Sequence, residues 1–375
     1  MLGRPVDKNH PTLRKITTLQ EARGVSSAGP RLDALRAAAE RLRGQLLDAD
    51  CVVCVRTLPL TTLLYPARYA FWGAALSPAP FVQLTHRCLL VQARTDEGVK
   101  TLLWNPTDYV AARKTPFFAQ LIKVTGEWIA EHLLATAYGT VVEHLGRLGV
   151  RPDQVDYVAF DHLHTQDLRP LLGTTGPDGR PPLFPNAQLL IPRAEWDEAA
   201  QPHPLQAAWF VAGTVEGVRT GKVVMLDGDV SLGAGLALVS TPGHTAGNQS
   251  LVVRTERGLW VSSENGVAPE AWSPLESRIP GLRAYARRMR LEVILNANTV
   301  EGGTDQYTSM VVERTLADPV KDAPGFFQVF PSSELTASPL APGLAPTHTF
   351  GELTSGALVR DAVRETRPTT TSSAN

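Results

Sequence analysis

The sequence predicts an α/β protein in which two β-sheets pack face to face and helices cover the outer faces. Three observations predict it. Apolar runs of strand length recur along the chain, helical runs fall between them, and the two kinds alternate in two successive blocks instead of one repeating unit. The 375 residues are 43% hydrophobic and 19% charged, enough for one large core or two modest ones.

The first 30 residues are polar, with scattered Pro and Gly, and read as a loosely held arm. From Arg31 to Leu47 apolar and charged residues alternate at helical spacing, which predicts a surface helix. Asp50 to Leu58 and Phe81 to Gln92 are rich in Val, Leu and Cys and read as strands. Val99 to Trp104 is a further strand, closed by Asn105 and Pro106. A helix is expected from about Gly126 to Leu148, ended by Gly-Val-Arg-Pro. The strand Asp156 to Phe160 then runs directly into DHLHTQDL. Strands at Ala187 to Ile191 and Lys222 to Leu226 bracket a helix near Glu195. Four more are expected at Leu236 to Ser240, Gln249 to Arg254, Leu259 to Ser262 and Leu291 to Leu295, the last behind an Arg-rich helix, Leu282 to Arg290. Beyond Asp318 the chain fills with Pro, Ala, Ser and Thr and is expected to be extended or disordered. The expected organisation is an N-terminal extension over 1–80, a main domain over 81–317 and a tail over 318–375. The extension is a candidate cap or association arm, which leaves a homo-oligomer open.

Composition narrows the function classes. A net charge of −1 provides no overall field toward nucleic acid or an anionic membrane. No apolar run approaches the roughly 20 residues of a membrane helix. The opening MLGRPVDKNHPTLRK has charges but no apolar segment behind them, unlike a secretory signal. Three cysteines in such a length argue against a disulfide framework, so a cytoplasmic protein is expected.

The strongest chemical signal is His162-Leu163-His164 at the end of a buried strand. In extended chain, residues two apart point to the same side, so both imidazoles can converge on one ion, with each nitrogen about 2 Å from a zinc. Asp167 lies a short turn further on. Alone, the pair reads equally as two histidines hydrogen-bonded in a loop. Residues 240–250, STPGHTAGNQS, add a second signal: a strand ends, Pro242 and Gly243 turn the chain, and His244 stands at the tip. A third imidazole completes three ligands and leaves a position for water, the arrangement of catalytic zinc.

With these motifs, from roughly Phe81 to Gly302, the chain is similar to the metallo-β-lactamase superfamily, whose hallmarks are H-x-H-x-D-H after a strand and then T-P-G-H-T-x-G-x-x-S. LGVRPDQVDYVAF, FPNAQLLIPRAEW and GDVSLGAGLALVSTPGHT resemble the family's approaches to its histidines. The resemblance implies a four-layer αββα sandwich and places His162, His164 and His244 on the first metal site. Gln166 falls where the family has an aspartate of the second site, and Asp167 where it has that site's histidine. Glu264 in WVSSENG corresponds to the metal-bridging aspartate, and Asn298 in ILNANTV to the last histidine. The second site has thus lost both imidazoles.

Site one then keeps three nitrogen donors, with Glu264 as a possible carboxylate ligand. This set suits zinc first, and iron or manganese also. Side-chain amides are weak ligands for zinc, so an empty second site is the simpler expectation. The implied activity is a mononuclear metallo-hydrolase acting with activated water on a small-molecule substrate, an ester, lactone, thioester or amide, with Asp167 or Glu264 as ligand or general base. Two alternatives stay open: an iron oxygenase or redox enzyme on the same fold, and a non-catalytic binding domain. His86, His132, His144, His203 and His348 have no partner at ligand spacing. Cys51, Cys54 and Cys88 read as strand residues. The aromatic run Tyr65, Tyr69, Phe71 and Trp72 is expected in the core, along a pocket or at an interface.

Overall fold

A computed structural model describes residues 4–5, 10–126, 135–177, 179–296 and 303–360. In chain order its strands are β1 (Arg4–Pro5), β2 (Leu13–Ile16), β3 (Cys54–Pro66), β4 (Phe81–Thr95), β5 (Gly98–Trp104), β6 (Tyr157–Ala159), β7 (Gln188–Pro192) and β8 (Val223–Leu226). These are followed by β9 (Asp229–Leu232), β10 (Leu236–Ser240), β11 (Gln249–Thr255), β12 (Gly258–Ser263), β13 (Val329–Pro331), β14 (Ser333–Thr336) and β15 (Thr354–Gly356). They form two mixed sheets. The first runs β1-β8-β7-β6-β5-β4-β3-β15, with β14 also on β4; the second runs β13-β12-β11-β10-β9-β2.

The sheets pack on each other because both are apolar on both faces. In β4, Leu89 and Val91 enter one cluster while Cys88 and Leu90 enter another; in β10, Leu236 and Leu238 separate from Ala237 and Val239 in the same way. The first cluster of each pair is shared, joining Leu89 and Val91 to Leu238, Leu251 and Phe330 of the second sheet. The outer face of the first sheet is covered by the helices Val141–Leu148, Leu168–Leu172 and Arg193–Ala200, through Leu145, Leu171 and Trp196. The outer face of the second is covered by Ala28–Asp48 and Gly303–Leu316, through Leu42 and Met310.

Several expectations change. The hairpin β3–β4 pairs Pro66 with Phe81, so the two sides of residue 80 share one sheet and the segment 1–80 is not separate from it. The tail is not unstructured through residue 360. It supplies β13 against β12, β14 against β4 and β15 against β3, short strands whose partners already exist and which therefore need little β propensity of their own. The RPTTTSSAN end, His132 and Asn298 lie outside the described residues. Of the helix expected from about Gly126 to Leu148, residues 127–134 lie outside the described residues; Val141–Leu148 is helical, capped by Thr140 and Glu143, and residues 136 and 137 before it bond back to Thr61 and Thr62 of β3. Leu291 to Leu295 forms no strand. Both edges of β12 are taken, by β11 and β13, and the segment's buried side chains meet the helix layer instead. The helix Gly303–Leu316 is unforeseen. The three cysteines are free thiols. Among the described residues no helix is long and apolar enough to cross a membrane.

The packing of the tail is open to test. Phe330 is 1% exposed between the sheets, with the Arg87 guanidinium 4.0 Å from its ring centroid. Phe330→Ala should cost about 3–5 kcal/mol in urea unfolding. A loss under about 1 kcal/mol would show that β13 is not part of the core.

Candidate metal centre

His162 and His164 leave the end of β6, and His244 leaves the end of β10, so the two sheets deliver the three rings to one place. Ring centroids lie 4.4 Å apart for His162 and His244, 4.7 Å for His162 and His164, and 5.3 Å for His164 and His244. One nitrogen from each lies within 4.8 Å of the others, and among the described residues no further Asp, Glu, His or Cys joins this cluster.

Each ring is oriented by an oxygen acceptor at its other nitrogen. His162 Nδ1 meets Asp161 Oδ1 at 2.7 Å, His164 Nε2 meets Gln206 Oε1 at 2.6 Å, and His244 Nδ1 meets Asn296 Oδ1 at 2.9 Å. An acceptor on one nitrogen makes that atom the donor and gives the other nitrogen its lone pair, the tautomer a metal ligand needs. Asp161 is held in turn by Asn105, whose amide donates to Oδ2 at 2.8 Å and whose Oδ1 accepts the Asp161 N–H. Asn105 adopts the left-handed conformation, φ 56°, to make this brace at the end of β5.

Burial and neighbouring rings push His164 well below the ordinary imidazole range and His244 down to about 3, so both are neutral donors. Burial also disfavours the His162 cation, but the Asp161 carboxylate outweighs it and raises this ring. Burial acts against the Asp161 anion; His162, Ser332 and Asn105 nevertheless hold it below the usual carboxylate range. Glu264 follows β12 and lines the same cavity, where burial and the Asp161 charge raise its carboxyl. The donor set fits a divalent cation: three converging imidazoles, each fixed by a hydrogen bond, with a carboxyl group nearby.

Asp167 is placed elsewhere. Its carboxylate caps the helix Leu168–Leu172 and takes Arg169 Nε at 2.8 Å and Nη2 at 2.9 Å, so it is committed to a two-pronged ion pair apart from the cluster. Gln166 does line the cavity, and its buried Oε1 has no hydrogen-bond partner among the described residues.

The residues that sequence reasoning missed stand behind the ligands. Glu195, wholly buried at the start of its helix, accepts the Leu163 N–H at 2.7 Å on one oxygen and the Thr245 hydroxyl on the other. It thereby joins the two histidine-bearing loops. Gly247 makes room for it: a Cβ there would lie 2.2 Å from the Glu195 nitrogen. Gly243, at φ 148°, presses on Gln306 in the same way, with a Cβ 2.2 Å from the Gln306 Cα. Asn265 accepts the His244 N–H and donates to Glu313, whose buried carboxylate also collects Ser250, Ser263 and Trp272. A carboxylate directly before the first histidine was a readable signal for Asp161; Gln206, Asn296 and Glu195 carry no such local mark.

The rings line a cavity of about 380 Å³. Its remaining walls are largely apolar, including Leu63, Leu84, Phe118, Ile122 and Trp209. Trp209 stacks on Phe117 at 4.3 Å and lies 6.3 Å from His164.

Glu195→Ala removes both acceptors of the clasp. It should weaken Zn²⁺ binding about 10–100-fold in a chelator competition, with Glu195→Gln, which keeps one acceptor, losing less. Unchanged affinity in a folded Glu195→Ala protein would show that the loops do not depend on it.

No protein-family model matches the chain. It is 32% identical over 155 residues to the N-acyl homoserine lactonase AttM of Rhizobium radiobacter, covering 38% of this chain and 52% of that protein. To an N-acyl homoserine lactonase of a Bacillus species it is 31% identical over 117 residues, 31% of this chain and 40% of that protein. The chain spans about half the length of the curated relatives it matches. Among solved structures, an N-acyl homoserine lactone hydrolase with N-hexanoyl-L-homoserine bound at its metal centre aligns at 19% identity, over 64% of this chain and 88% of that one, with a TM-score of 0.42. A probable metal-dependent hydrolase from Staphylococcus aureus aligns at 13% identity, over 71% of this chain and 84% of that one, with a TM-score of 0.47. With two mixed sheets, a histidine triad at their strand ends and this partial identity, the chain is similar to the N-acyl homoserine lactonases over part of their length.

Proposed function

We propose that the chain is a mononuclear metal-dependent hydrolase that opens lactones, or cleaves related esters, carrying an apolar tail. The observation that carries this reading is the triad lining a cavity whose walls are largely apolar. The partial identity to N-acyl homoserine lactonases supports lactones as the first substrate class to try. His162, His164 and His244 would hold the ion, zinc in preference to iron or manganese. When bound, such an ion supplies Lewis acidity, polarising a carbonyl and acidifying water.

The chain's own groups do the rest. Asp161, Gln206 and Asn296 keep the three rings aimed. Leu63, Leu84, Phe118 and Trp209 take the apolar part of the substrate and exclude bulk water. Glu264 Oε is the proton carrier: it takes a proton as water adds to the carbonyl carbon and returns one to the ring oxygen as the C–O bond breaks. The products are an alcohol and a carboxylic acid joined in one molecule. Asp167, paired with Arg169, is reassigned from ligand or base to a helix cap that shapes the loop.

Metal content by mass spectrometry on protein purified without added metal tests this first. About one equivalent of zinc is expected. It should be lost in His162→Ala and His244→Ala and kept in Asp167→Asn. Two equivalents, or loss of zinc in Asp167→Asn, would overturn the mononuclear assignment, and iron with O₂ consumption would replace hydrolysis by oxygenase chemistry. Among lactones hydrolysed, kcat/KM should rise about fourfold per methylene while the tail still fits, since each buried CH₂ contributes roughly 0.8 kcal/mol. Independence from tail length would mean that the apolar wall is not the substrate site.

A further inference from the structure

His86 is buried on β4, and both of its ring nitrogens are engaged: Nδ1 with the Ser333 hydroxyl at 2.9 Å and Nε2 with the Thr107 hydroxyl at 2.7 Å. Ser333 opens β14 and stands directly opposite His86 in the antiparallel pair. Ser332, just before it, donates its N–H to the Ser263 carbonyl at 3.0 Å, which brings Ser333 beside Glu264. There the hydroxyl and the N–H of Ser333 both act as donors to the Glu264 carboxyl. A hydroxyl has one proton, so a Ser333 that gives it to Glu264 must accept from His86, and Nδ1 is the donor. Nε2 then carries the lone pair and takes the Thr107 proton, whose alternative acceptor, the Asn105 carbonyl, is 3.4 Å away. Burial pushes the ring down to about 4, so it is neutral and has the single N–H this order requires. Donation therefore runs one way, from Thr107 through His86 and Ser333 to Glu264, and all four line the cavity of the triad.

We propose that His86 is a positioning residue for Glu264 and acts on it through Ser333. The inference rests on the hydrolase reading above, in which Glu264 carries the proton. The last torsion of a glutamate is broad, so the plane of its carboxyl is set by the donors it meets. A proton carrier needs that plane fixed, because water on entry and the ring oxygen on departure must both come within hydrogen-bond reach. Ser333 can fix it only while its own hydroxyl does not turn, and the His86 N–H holds that rotor. Thr107, at the far nitrogen, keeps the ring from swinging away. Water gives its proton to Glu264 as the new C–O bond forms, and Glu264 gives it to the ring oxygen as the old C–O bond breaks. His86 and Ser333 neither gain nor lose a proton in this sequence; they decide where the carboxyl stands.

The test sets His86→Gln, His86→Asn and Ser333→Ala beside the parent, all loaded with zinc. An asparagine amide nitrogen stands where Nδ1 does and still donates to Ser333, whereas that of glutamine reaches toward Thr107. Each protein is assayed for kcat and KM on a γ-lactone with an alkyl tail and on a nitrophenyl ester with the same tail, whose leaving group departs without a proton. Zinc content and melting temperature are measured alongside. His86→Gln and Ser333→Ala should keep their zinc, hold KM within about twofold, and lose about 10–100-fold in kcat on the lactone, with a smaller loss on the ester. His86→Asn should recover most of that loss. Combining His86→Gln with Ser333→Ala should cost no more than Ser333→Ala alone, since both act through one hydroxyl. Should His86→Gln fail to fold, Ser333→Ala, which removes a single oxygen, decides alone. Equal losses on the two substrates, a His86→Asn as poor as His86→Gln, zinc lost from the variants, or variants as active as the parent would each overturn the proposal and leave the hydrolase reading intact. A zinc-loaded parent that hydrolyses neither substrate brings down the hydrolase reading itself, and this inference with it.

Discussion

One buried carboxylate decides whether the site exists. Glu195 accepts from the loop after β6 with one oxygen and from the turn after β10 with the other, and those two segments belong to different sheets. Nothing in the packing of apolar layers sets the relative height of two loops to the precision a metal site needs. Two hydrogen bonds to the same rigid group do. Burial raises the Glu195 carboxyl, and His162, Thr245 and the Leu163 N–H work against that rise, so the group is costly unless both loops are in place. The cost is what makes the clasp selective: a shifted loop leaves a buried acceptor unpaired.

Behind each imidazole stands an acceptor from a different part of the chain. Asp161 comes from the histidine loop itself, Gln206 follows the helix Arg193–Ala200, and Asn296 follows the helix Leu282–Met289. Asn296 also donates to the Glu264 carbonyl, and Gln306 donates to both the Asn265 and Asn296 carbonyls. The helix Gly303–Leu316 therefore does more than cover a sheet. Through Gln306, Ser309 and Glu313 it holds Pro242, Asn265 and Asn296, and so fixes the tip on which His244 stands. Ring orientation is set by the fold, which spares a bound ion the entropy of gathering its ligands.

Much of this was legible in the sequence, and the exceptions have physical causes. The strands flanking both motifs and the three histidines could be read because strand length, turn residues and the T-P-G-H-T pattern are local properties. Asp167 misled because position in a motif says nothing of a competing partner: Arg169, two residues on, captures its carboxylate. Leu291 to Leu295 has strand composition, but a strand needs a free edge, and occupancy of the β12 edges is a property of the whole sheet. The same holds for the tail, where Pro-rich composition hides strands borrowed from existing edges. Asn296, Gln206 and Glu195 act across 52, 42 and 32 residues of chain. No window of sequence reports contacts of that kind.

The balance of charge links these layers to chemistry. Asp161, Glu195 and Glu264 are all buried around the triad, and among the described residues no lysine or arginine lines its cavity except Arg113. Without a cation, burial and then the Asp161 charge raise the Glu264 carboxyl, and Asp161 raises the His162 ring against the effect of burial. A divalent cation among the imidazoles would neutralise the same carboxylates more completely, and those protons would leave as it bound. The apolar cavity wall strengthens the effect, since it keeps away the water that would otherwise screen each charge. A largely apolar wall and buried carboxylates around the triad therefore act together, since each charge is screened less and would hold a cation more firmly.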